Sequence, residues 1–98
     1  MIIRIVKLTF KEGGAEEFLQ LFNERKNEIR HFPGCLHLEV WREDKKPNVL
    51  FTYSHWEDVD ALNHYRFSEF FKDTWSKTKP LFAEKAQAWS TVREEVVE

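Results

Sequence analysis

Cysteine is nearly absent from this sequence: Cys35 stands alone among 98 residues. A lone thiol excludes an intramolecular disulfide and any multi-cysteine metal site, and it fits a reducing compartment, so the expected location is cytoplasmic. Long apolar runs are missing too. The run that opens at Met1 is broken by Arg4 and Lys7, and no stretch reaches the roughly 18 apolar residues of a membrane span, so neither export nor insertion is expected. No charge of one sign dominates, with 15 Lys and Arg against 17 Asp and Glu and a net charge of −2. That balance disfavours nucleic acid as a partner, because a phosphate-backbone binder needs a clustered positive field. A GxSxG elbow, a GxGxxG turn, a P-loop and a zinc-spaced His, Cys and carboxylate cluster are also absent. The commonest hydrolase, nucleotide and metal signatures go with them. The length allows one domain, residues 1–98, since domains take roughly 100–200 residues. A chain this small gains from association that covers more apolar surface.

Aromatic rings are abundant: nine Phe, four Trp and two Tyr make up 15% of the chain. So many rings must line a core, a pocket or a subunit interface. Residues 2–10 are β-branched and alternate Arg4, Val6, Leu8 and Phe10 against Ile3, Ile5, Lys7 and Thr9, a strand pattern that Gly13-Gly14 ends. From Ala15 the period turns helical, with Ala15, Phe18, Leu19, Phe22 and Ile29 on one stripe, until Phe32-Pro33-Gly34 stops it. Cys35–Glu43 alternates again, with Leu36, Leu38 and Val40 against His37, Glu39 and Trp41. A charged turn over residues 43–48 and a returning strand over Val49–Trp56 complete a hairpin. Acidic residues at 57, 58 and 60 precede a helical rhythm over 58–79, with a second start at Ser68-Glu69 that makes the region broken or kinked. A last strand is expected over 85–93.

The order β-α-β-β-α-β is that of the ferredoxin-like α+β fold, a four-stranded antiparallel sheet with its helices on one face. The uncovered face is expected to carry Ile3, Ile5, Trp41, Leu50, Trp56 and Trp89. An apolar face of that kind calls for a partner, and a second copy of the chain supplies one.

Several local motifs together resemble a known family. They are the junction Phe32-Pro33-Gly34-Cys35-Leu36, the strand end Tyr53-Ser54-His55-Trp56, and the acidic helix start with Ala61-Leu62, His64 and Ser68-Glu69-Phe70-Phe71-Lys72 behind it. In this order they are similar to the antibiotic biosynthesis monooxygenase (ABM)-like domains, which are dimeric α/β barrels. The resemblance implies a homodimer that binds a small hydrophobic or aromatic ligand and oxygenates a quinol-type substrate without a cofactor. In that chemistry the protein binds a ring, takes a proton and stabilises the anion that reduces O₂. It also implies candidates: His64 and Tyr65 as catalytic groups, with His64 the base, and Tyr53, His55, Phe71 and Trp75 as substrate-binding groups, with no metal. The heme-degrading members of the family carry an Asn, a Trp and an iron-ligating His where this chain has Val6, Tyr65 and Trp75, which disfavours heme oxygenation. A heme protein using His64 or His55 instead is the remotest alternative.

Plainer readings stand beside these. A helical His64 can be a partly exposed or capping residue, and His55 a turn or interface group. His37 and Glu39 can form a buried polar pair, Trp75 can be core, and Cys35 a small buried hydrophobe. The rival to catalysis is a module of the same fold that only binds a small ligand.

Overall fold

The computed structural model describes residues 1–98. Strand β1 (Ile2–Thr9) leads to helix α1 (Gly14–Arg30), then to β2 (Cys35–Arg42) and β3 (Val49–Trp56). Helices α2 (Val59–Arg66) and α3 (Glu69–Thr78), a short 3₁₀ turn (Lys79–Leu81) and β4 (Gln87–Thr91) complete the chain. The four strands form one sheet in the order β2-β3-β1-β4, with every neighbouring pair antiparallel. This is the ferredoxin-like arrangement expected from the sequence. The final strand is shorter than expected, five residues within 85–93. None of the helices is long and apolar enough to cross a membrane.

The break in the second helical region has a specific cause. Asp58 caps α2 by accepting from the Ala61 N–H at 2.8 Å, and α2 ends at Arg66. Ser68 then accepts from the Phe71 N–H at 3.1 Å while its hydroxyl donates to the Tyr65 carbonyl at 2.6 Å. One serine thus ends the first helix and starts the second. Gly34 serves a comparable purpose between α1 and β2. Its φ is +86°, and a Cβ there would overlap the Cβ of Ala61, so the Pro-Gly-Cys turn needs glycine both for its backbone and for the close approach of α2.

Alternation along the strands decides which side chains meet the helices. Leu8 of β1 lies opposite Leu50 of β3; both are buried with Phe10, Ala15 and Phe18 beneath α1. A second cluster joins Cys35, Trp56 and Leu62. Each such large apolar side chain contributes roughly 1.5–3 kcal/mol by leaving water. Leu50 and Trp56, expected on the uncovered face, are instead on the helix side, each 1% exposed. They share parity with Thr52 and Ser54, and Trp56 closes the core against Tyr65 at 4.9 Å between rings. Leu36 also departs from expectation. A bulge between Cys35 and His37 leaves it unpaired and exposed, so the alternation of β2 restarts one residue later. The uncovered face therefore carries Ile3, Ile5, His37, Glu39, Trp41, Phe51, Tyr53, His55 and Trp89.

Candidate functional site

Between the sheet and the helices lies a cleft of about 90 Å³. Thr52, Ser54 and Trp56 of β3 form its floor with Val6, Leu8 and Leu38, and Phe18, Phe22 and Ile29 enter from α1. Tyr65 of α2 and Phe71, Thr74, Trp75 and Thr78 of α3 form the opposite wall. The Phe71 and Trp75 rings are one helical turn apart and stack at 5.8 Å with 13° between planes. Tyr65 meets Phe71 edge-on at 5.1 Å. Arg25 of α1 straps the two helices together, pairing with Asp73 at 2.6 Å and donating to the Thr74 hydroxyl at 2.8 Å.

Most of the cleft is apolar, and its polar groups are hydroxyls. Thr74 and Thr78 are engaged with backbone carbonyls at 3.0 and 2.8 Å. Ser54 accepts from the Trp56 indole N–H at 3.0 Å, which leaves its own proton to donate. Tyr65 is the one ionisable group in the lining. Burial first, and then the Cys35 thiol, push its phenol well above the usual tyrosine range, so it stays protonated near neutrality and is a donor there, not a base. No group of three His, Cys, Asp or Glu side chains is arranged to hold a metal ion.

The structure brings Tyr65, Phe71 and Trp75 together in this cleft and leaves the other three candidates outside it. His64 is exposed on α2, its ring 5.4 Å from Phe32. One residue along a helix turns the side chain by about 100°, so with Tyr65 facing the sheet His64 faces away. Tyr53 and His55 lie on the uncovered face because Ser54 and Trp56 point the other way. There the His55 Nε2 and Tyr53 hydroxyl are 2.7 Å apart, and the His37 ring is 5.0 Å from His55. His37 and Glu39 do pair, at 2.5 Å, but both are about half exposed, 45% and 46%. Cys35 is buried, and that burial pushes its thiol up. The lining residues missed from sequence are chiefly Thr52, Ser54 and Trp56, and the signal that marks them is the parity of β3.

The model of the antibiotic biosynthesis monooxygenase family matches residues 1–76. The chain belongs to that family. Among solved structures, the fold is similar to that of an antibiotic biosynthesis monooxygenase (TM-score 0.89, 19% identity, 97% of this chain and 100% of the other). It is also similar to a conserved protein from Methanosarcina mazei Go1 (TM-score 0.88, 22% identity, 96% and 94% of the two chains). A point variant of SnoaB, a cofactor-independent oxygenase from Streptomyces nogalater, has the same fold (TM-score 0.86, 18% identity, 98% and 95%). A search among curated proteins gave no match. In this member of the family, Val6, Tyr65 and Trp75, the positions where the heme-degrading branch is expected to carry its Asn, Trp and His, all meet in the one cleft.

Proposed function

We propose that this ABM-family protein binds a flat, electron-rich aromatic molecule in the cleft and oxygenates it without a cofactor. The observation that carries this reading is the stacked Phe71–Trp75 pair, which lines the same cleft as the hydroxyls of Ser54 and Tyr65. Parallel rings accept a planar ligand, and neutral donors in an apolar slot stabilise an oxygen anion more strongly than water would. The fold shared with SnoaB, a cofactor-independent oxygenase, supports the same class of reaction. In it a hydroquinone or anthrone loses a proton, its anion passes an electron to O₂, and the peroxide formed on recombination loses water to leave a quinone. O₂ is the only oxidant, with one oxygen atom kept in the product and one released as water.

The lining holds no histidine or carboxylate, so we assign the first proton loss to a substrate acidic enough to ionise on binding, or to His64 acting through water from its exposed place outside the cleft. The same feature favours the second reading, a module that binds such a ligand without turning it over. Oxygen uptake over hydroquinones, anthrones and catechols in the presence of a chelator separates the two. Uptake that falls at least tenfold in Trp75→Ala supports oxygenation. No uptake alongside saturable binding supports the module, and loss of uptake in His64→Ala with binding intact assigns the base.

We also propose that the molecule works as a homodimer packed through its uncovered sheet face. Trp41 and Trp89 are 38% and 47% exposed there, Trp41 stacks on Tyr53 at 4.6 Å, and Ile3, Ile5 and Phe51 share the face. Burying such a patch against a second copy returns the apolar area that a chain of this size needs.

A further inference from the structure

We infer that the Trp75 indole is the partition that sets how long a ligand the cleft accepts, holding it to a single-ring phenol or quinol; this rests on the ring-binding reading above. Next to the C-terminal end of α3 lies a second recess of about 440 Å³, lined by Lys79 of the 3₁₀ turn and by Phe82, Ala83, Glu84, Lys85 and Ala86 ahead of β4. The cleft and the recess have one lining residue in common, and it is Trp75. Its ring stacks at 5.8 Å on Phe71, which lines only the cleft. It also meets Phe82, which lines only the recess, edge-on at 5.5 Å.

Size and rigidity give the partition its effect. An apolar cavity of about 150 Å³ takes one benzene ring, so a cleft of about 90 Å³ has no room for a second. The backbone around the recess is pinned to the end of β1. The Lys11 N–H donates to the Leu81 carbonyl at 2.8 Å, and the Ala83 N–H donates to the Thr9 carbonyl at 2.9 Å. Phe82 between them bridges to Phe10, with the two rings 5.4 Å apart. A segment held at three successive residues does not swing aside, so a side chain closes this end of the cleft. Removing a packed ring leaves a cavity, because its neighbours relax only in part. At Trp75 that cavity joins the cleft to the recess, and a second ring attached to the first then finds a place beside Phe82, Ala83 and Ala86.

The test is calorimetric titration of the full chain with hydroquinone and with 4-phenylphenol, whose second ring extends the first along its axis. The wild-type protein should bind hydroquinone at least as tightly as 4-phenylphenol. Trp75→Leu should weaken hydroquinone and strengthen 4-phenylphenol, shifting the ratio of their dissociation constants at least tenfold, whereas a merely structural loss weakens both. Ala86→Phe in that background should cancel the shift by filling the recess. Trp75→Phe should move the ratio the same way by a smaller factor, and it reports if the leucine variant does not fold. A wild-type preference for 4-phenylphenol, a ratio unmoved by the Trp75 variants, or a shift that survives Ala86→Phe overturns the partition and leaves the ring-binding reading standing. Binding of neither probe to the wild-type protein overturns both.

Discussion

The Tyr65 phenol is stacked on Trp56 and makes no side-chain hydrogen bond within the chain, while only its backbone carbonyl accepts, from Ser68. It is therefore a donor available to a ligand. Tyr65→Phe should lower turnover of a quinol about tenfold or more with little change in thermal stability, measured by oxygen uptake and by melting. His55 gives a pH prediction. Burial, and then the charges of His37 and Arg93, hold its imidazole below the ordinary value of 6.5, against a smaller pull from Glu39. Between the folded and unfolded values the unfolded chain binds the proton and the folded one does not, so stability falls as pH drops below about 6.5. The Glu39 and Asp73 carboxylates are held low by hydrogen bonds from His37 and Arg25 respectively. Their contribution is lost only at lower pH, below the interval from pH 6.5 to 5. Urea midpoints across it should decline, and His55→Gln should flatten the decline. Residue roles were the least legible part of the sequence. Spacing put Tyr65 in helical phase with Val59 and Leu62, whereas the family resemblance singled out His64, and the phase of α2 against the sheet separates the exposed residue from the one in the cleft.

Elements were far more legible, because period 2 and period 3.6 are strong signals and the caps stand in the sequence. Ser68-Glu69 announced the second helix start, and the structure has Ser68 capping α3. Ser68→Ala removes that cap and should cost about 1 kcal/mol, read as a lower urea midpoint. Because α3 carries Phe71 and Trp75, the same variant should weaken ring binding as well. Gly34→Ala combines a positive φ with overlap on Ala61 and should cost about 2 kcal/mol or more. What the pattern could not reveal was the bulge at Leu36, since an inserted residue leaves the local composition of β2 unchanged while shifting its phase. The end of β4 was also obscure. Ala86 and Val92 continue the alternation, yet pairing with β1 extends only from Gln87 to Thr91.

For the whole molecule, the topology followed from element order, but the existence of a cleft depended on how completely the aromatic side chains fill the space under α3. That is a matter of three-dimensional packing which no linear pattern encodes. The uncovered face is the other whole-molecule property. If it joins two copies, Trp41→Arg should shift the protein from dimer to monomer in sedimentation while the far-ultraviolet circular dichroism of the fold persists. A dimer that survives this change would place the interface elsewhere. The irregularity at Cys35–His37 also bears on how the protein behaves when concentrated. β2 is an outer strand of the sheet, and its outward-facing N–H and C=O groups would otherwise template further strands into fibrils. The irregularity shortens the regular edge to His37–Arg42, and charged Glu39 and Arg42 along it make it a poorer template for an incoming chain.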